Sequence, residues 1–125
     1  MMRVLKTREF SRDAHRRGIA DTMLLEASRR AELGLVDADL GGGPIEQRVP
    51  RPGQGRSGGY RTLMANRAGG RLVFVHCFAK SERDNIGNCE LAYWRRMAGA
   101  WLEMGEVALS ARIAAGELEE VRDDA

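Results

Sequence analysis

Tyr60-Arg61-Thr62-Leu63-Met64-Ala65-Asn66 and Arg71-Leu72-Val73-Phe74-Val75-His76-Cys77-Phe78 are joined by Arg67-Ala68-Gly69-Gly70. Two β-prone stretches around a glycine pair predict a hairpin. Nearly every residue from Leu72 to Phe78 is apolar. That pattern suits a central strand covered on both faces better than an edge.

Outward from this hairpin, Arg3–Lys6 reads as a short strand and Thr7–Arg17 as a helix with Phe10 and Ala14 inward, broken by Gly18. Asp21 is the expected N-cap of a second helix, with Leu24, Leu25, Ala27, Ser28, Ala31 and Leu35 on its inner face and Gly34 near its end. Gly41-Gly42-Gly43-Pro44 punctuates the chain, Ile45–Val49 reads as a strand, and Arg51–Arg61 as a glycine-rich loop. Beyond the polar connector Asp84–Asn88, Leu91, Trp94, Met97, Ala98, Trp101 and Leu102 recur at helical steps. A short acidic helix over Glu106–Ala115 and a loose acidic tail, 117–125, complete the chain. The order β-α-α-β-β-β-α-α predicts an α+β fold. It comprises a small antiparallel sheet of about four strands between two N-terminal helices and C-terminal helices. At 125 residues, 1–125 is expected to be a single domain.

Charge is distributed unevenly. From Gln47 to Ser81 there is no acid, while Arg48, Arg51, Arg56, Arg61, Arg67, Arg71 and Lys80 are all cationic. Net charge is only +2, so the positive potential is concentrated in this central segment, which suits phosphate and above all RNA. Aromatic residues, at 6%, are too few for a dedicated base-stacking platform. No apolar run approaches the roughly 20 residues needed to cross a bilayer. The polar start of the chain is not a secretory signal, so a cytoplasmic location is expected. Cys77 and Cys89 with His15 and His76 have no zinc-ligand spacing and read as reduced thiols beside non-ligating histidines; no metal or cofactor is expected.

Arg48-Val49-Pro50-Arg51-Pro52-Gly53-Gln54-Gly55-Arg56-Ser57-Gly58-Gly59-Tyr60-Arg61-Thr62, followed by Phe78-Ala79-Lys80-Ser81-Glu82-Arg83-Asp84-Asn85-Ile86, resembles the RelE/HigB-like toxins of type II toxin–antitoxin modules. The likeness runs from Arg3 to about Gly116. It implies a twisted antiparallel sheet flanked by helices, and a metal-independent endoribonuclease that cuts mRNA, usually on the ribosome. It also implies neutralisation by a cognate antitoxin, here expected to be a small helix-turn-helix protein. The resemblance makes Arg61 the transition-state arginine and puts Arg48 where relatives carry a catalytic or phosphate-binding lysine. Lys80 and Arg83 would line the same groove; Arg56 and Tyr60 join the catalytic set, and Arg51 and Arg67 the RNA-binding set. Ser81 stands where some members have a second arginine and Gly87 where some have a tyrosine base, which leaves the general base unassigned.

Cleavage through the 2′-hydroxyl needs a proton acceptor, charge on the transition state and a proton for the leaving 5′-oxygen. Arginines meet the second need, because a planar, permanently charged fork engages two phosphate oxygens at once. Lys80 is the first candidate for proton transfer and Tyr60 the second. His76 shares a strand face with Phe74 and Phe78 by simple alternation and reads as structural, and Trp94 and Trp101 read as core. Two other readings of the chain are a ParE-like gyrase poison and a non-catalytic RNA- or ribosome-binding module. The dense arginine and lysine set favours the ribonuclease over both.

Overall fold

The computed structural model describes residues 3–51, 55–67, 70–79 and 86–122, with the backbone alone at 51, 55–58 and 67. The elements are β1 (Arg3–Thr7), α1 (Arg8–Arg17), α2 (Asp21–Glu32), β2 (Ala38–Asp39), β3 (Pro44–Arg51), β4 (Gly55–Arg67), β5 (Arg71–Ala79), α3 (Asn88–Glu103), α4 (Glu106–Ala114) and β6 (Leu118–Glu120). Strands follow the order β2-β3-β4-β5-β1-β6. β1 runs parallel to β5, and every other described pairing is antiparallel. The fold is α+β, as the pattern predicts.

Three local expectations are corrected. The stretch expected to be a loose tail forms β6, where Leu118 is buried and pairs with Thr7. Most of the glycine-rich loop is strand, since β4 begins at Gly55 and Arg51 pairs with Gly55. Asp21 does not cap α2; Ala20 occupies that position, and the Asp21 carboxylate accepts from Lys6 Nζ at 2.8 Å. By contrast α1 ends at Gly18 as its sequence suggests, and Thr7, expected inside the helix, is its N-cap. Thr7 Oγ1 accepts from the Phe10 N–H at 3.1 Å, and Gly18 adopts φ 75°, which few residues other than glycine tolerate.

Two cores lie on opposite faces of the sheet. Phe10, Ala14, Leu24 and Ala27 of α1 and α2 pack on Val49, Tyr60, Met64, Leu72, Phe74 and Cys77. Ala98 of α3 and Leu109 of α4 pack with Leu118 of β6 on Leu5, Leu63, Ala65, Val73 and Val75. Each fully buried Leu or Phe in these layers contributes about 1.5–3 kcal/mol. Gln47 is wholly buried beneath α2, and its amide is spoken for: it donates to Ala27 O and Leu35 O and accepts from the Asp37 N–H.

Along β5 the alternation breaks once. Leu63 pairs with His76 but Met64 pairs with Phe74, so two residues of β4 oppose three of β5. This β-bulge turns Val75 and His76 to the same face, toward α3. The expectation that His76 shares a face with Phe74 is therefore wrong: Phe74 lies in the α1/α2 core against Phe10.

α3 lies across β4 and β5 on that face, antiparallel to β5. Arg71, 8% exposed, fixes its C-terminal end by donating from Nη1 to Trp101 O and Met104 O, both at 2.7 Å. Arg95 holds its flank by donating to Leu40 O and Gly41 O. A Cβ on Gly42 would come within 3.3 Å of the Arg95 side chain and would sit at φ 74°, so the glycine run allows this clasp. The N-terminal end of α3 consequently faces the Phe78 end of β5.

Candidate nucleic-acid interface

β3 and β4 form a long hairpin, and its register decides which cations meet. Arg48 stands directly opposite Arg61, and Arg61 opposite Phe78 of β5. One step along, Glu46 opposes Leu63, which opposes His76. Directly paired residues share a face, so Arg48, Arg61 and Phe78 form one transverse row and Glu46, Leu63 and His76 the next. Both rows lie on the side that α3 covers.

Within this patch Arg61 Nη1 donates to Glu46 Oε1 at 2.9 Å, with the two side chains 18% and 7% exposed. Arg48 keeps an exposed side chain on a fixed backbone: its N–H donates to Asp37 Oδ2 at 2.7 Å, and its carbonyl accepts from Arg30 at 2.6 Å. Like charges directly opposite on a sheet repel. Here Glu46 offsets that repulsion diagonally, and a phosphate between the two arginines would offset it further.

The other residues singled out in the sequence fall elsewhere or outside the described residues. Tyr60 is 6% exposed and packs in the α1/α2 core, on the face opposite Arg61, with the Arg17 guanidinium 5.5 Å from its ring centre. Arg67 pairs with Arg71 at the far end of β4, six residues and about 20 Å from Arg61 along the strand. Arg51 and Arg56 lie on the hairpin backbone at the Arg61 end. Lys80 and Arg83 lie outside the described residues; Lys80 follows Ala79, which pairs with Tyr60. Arg71, one of the cations of the acid-free segment, is committed to structure, since its guanidinium closes α3 and pairs with Glu106 at 3.0 Å.

A second cluster, not anticipated from the sequence, adjoins the arginines. The His76 ring stacks on Trp94 (centroids 4.8 Å apart, planes 21°), and His76 Nε2 lies 3.6 Å from Glu90 Oε2. Trp94 Nε1 donates to that same oxygen at 3.1 Å. The first turn of α3 carries Glu90, and the partial positive charge of a helix N-terminus falls at the same end as Arg61.

Cys77 and Asp13, by contrast, are structural. Burial pushes the Cys77 thiol up to about 12, aided by its hydrogen bond to Asp13 Oδ2 at 3.3 Å. Burial raises the Asp13 carboxyl, but hydrogen bonds from Arg16, Cys77 and Arg17 outweigh it and hold the group below the usual carboxylate range. Among the described residues no cluster of three or more His, Cys, Asp or Glu is placed to hold a metal ion. No described helix is long and apolar enough to cross a membrane.

The family model for the RelE toxin of the RelE/RelB toxin–antitoxin system matches residues 2–121. No curated protein matches the sequence.

Proposed function

The chain belongs to the RelE toxin family of the RelE/RelB toxin–antitoxin system, and we propose that it is a metal-independent endoribonuclease that cuts mRNA on translating ribosomes in the cytoplasm. The family implies a cognate RelB antitoxin as partner; its helix-turn-helix character is part of the proposal. The observation that carries the ribonuclease reading is the pairing of Arg48 and Arg61 on one sheet face, with Glu46 holding the second.

In this reading the scissile phosphate displaces Glu46 from Arg61. The guanidinium then follows the negative charge as the phosphorane-like transition state forms. Arg48 grips an adjacent phosphate, and Arg51 and Arg56 extend the track along the hairpin. The resemblance adds Lys80 and Arg83 to the same groove. Tyr60 acts through packing: its buried ring fixes the strand that presents Arg61. Arg67, at the opposite end of β4, makes at most an outlying phosphate contact. A site built mainly of arginines depends on a substrate already held in line, which the ribosome supplies.

Mapping 5′ ends on cellular messages minutes after induction tests this, with wild type beside Arg48→Ala and Arg61→Lys. New ends within translated frames, lost or strongly reduced in both variants, are expected. Growth arrest without new ends would overturn the ribonuclease reading in favour of gyrase poisoning or pure ribosome binding.

A further inference from the structure

We propose that His76 is the proton acceptor for the 2′-hydroxyl, with Glu90 and Trp94 as its positioning residues. This rests on the ribonuclease reading above and supplies the base which that reading lacks.

Four observations converge. The β5 bulge turns His76 out of the α1/α2 core, where unbroken alternation would bury it, onto the face that carries Arg61. Bulges commonly re-aim a side chain in this way beside active sites. Arg61 and His76 are diagonal neighbours across β4 and β5, about 7–8 Å apart at the backbone. That separation suits one ribose–phosphate unit bound between the two side chains. The His76 side chain retains 26% of its exposure, so the ring is supported yet reachable. Finally, the ring is oriented from two sides, by the Trp94 face and by the Glu90 carboxylate that the Trp94 indole N–H itself holds.

Among the described residues, the charged groups that face His76 include Glu90 from α3, Arg61 from β4 and, beyond Leu63, Glu46 from β3. Behind Val75 and Trp94, a cavity of about 290 Å³ also has Arg8, Glu9 and Glu117 in its lining. Glu90 lies 3.6 Å from Nε2, so in this proposal the proton on Nε2 is assigned to the Glu90 side and the 2′-hydroxyl to Nδ1.

The 2′-hydroxyl gives its proton to Nδ1 while its oxygen forms a bond to phosphorus. The P–O5′ bond then breaks, and its electron pair stays on the 5′-oxygen, which takes a proton from water. The imidazolium proton neutralises the hydroxide so produced. The products are a 2′,3′-cyclic phosphate and a 5′-hydroxyl end.

Single-turnover cleavage of ribosome-bound message by the full chain, measured from pH 5 to 8, tests the assignment. His76→Gln should lower the rate about 10²- to 10⁴-fold and abolish the acid-side limb of the pH profile, with ribosome binding and thermal melting kept. Glu90→Gln should move that limb to lower pH, because the imidazolium loses a neighbouring anion. A folded His76→Gln protein with wild-type rate and limb overturns the proposal. If His76→Gln does not fold, Glu90→Gln decides, and an unmoved limb overturns it. A wild type that binds ribosomes but cuts nothing instead removes the ribonuclease reading, and the base with it.

Discussion

Arg61 reaches past its direct cross-strand partner, Arg48, to the diagonal Glu46, and the two charges meet at 2.9 Å on the face beneath α3. The ion pair is largely sheltered from solvent. Glu46 thus fixes the guanidinium in the resting protein and becomes a competitor for it when phosphate arrives.

Removing Arg61 should therefore cost stability as well as activity. Arg61→Ala leaves the Glu46 carboxylate buried beside its lost partner, and we expect a loss of about 2–4 kcal/mol. The double variant Glu46→Gln/Arg61→Ala should regain part of it. Urea unfolding of the two single variants and the double checks this; an additive double would mean that the pair is not coupled. Arg61→Lys, which retains a charge for Glu46, is the cleaner probe of chemistry.

Two arginines of the acid-free segment should separate into opposite behaviours. Arg48→Ala should leave melting unchanged while reducing the log–log salt slope of RNA binding by about one unit. Arg71→Ala should leave the slope alone and destabilise by about 2–4 kcal/mol, because Trp101 O and Met104 O lose their donor and Glu106 is left with Arg3. Binding isotherms at several salt concentrations, paired with melts, discriminate the two. Matching losses of slope in both would sink the structural role of Arg71.

Sequence reasoning reaches the elements more readily than the contacts between them. β5 announces itself by its apolar run, and α1 by the spacing of Phe10 and Ala14 and the break at Gly18. β6 is only Leu-Glu-Glu, too short and too acidic to show a strand period, and its stability comes from the pairing with β1. The bulge at Val75 and His76 has no glycine or proline to mark it. It follows from the register against β4, so strict alternation assigns His76 to the wrong face. Arg71 looks like any other basic residue until the carbonyls of α3 arrive from thirty residues downstream. Arg61 is singled out in the sequence through the resemblance, but its partner Glu46 is not, because diagonal pairing is fixed only once the hairpin register is known.

The two thiols should differ sharply in reactivity. Cys89 is exposed, whereas Cys77 is buried with its thiol pushed up to about 12 and donating to Asp13. Alkylation at pH 8 should modify Cys89 rapidly and Cys77 only after unfolding. Mass spectrometry of the labelled peptides reads this directly. Equal labelling of both in the native protein would show that the α1–β5 packing opens readily.

Acid should loosen the protein at two identified places. The Arg3 guanidinium holds the Glu120 carboxyl below its ordinary range, partly against desolvation, and Asp13 is depressed as well. A carboxyl lowered by folding contributes stability that is fully present above its unfolded value, near 4. That stability is lost as pH falls through the folded value. Melting temperature should therefore hold steady from pH 7 to about 5 and fall below about pH 4. Asp13→Asn and Glu120→Gln should each flatten that acid limb; an unchanged limb in both would assign it to other carboxylates.

Leu5 has partners on both sides of β1: Val73 of β5 and Glu120 of β6. Leu5 thus waits for a partner that is synthesised about 115 residues later. The β3–β4 hairpin with its arginines is complete once Arg67 has been made. At about 5–20 residues per second, the strand that closes the sheet follows roughly 3–10 s later. From the moment β5 pairs with β1 until β6 arrives, the nascent chain holds its basic hairpin while one side of β1 stays unpaired, the condition in which strands join wrong neighbours. A message truncated before Leu118 would make that interval permanent, yielding a protein with its cations in place and an edge open to aggregation.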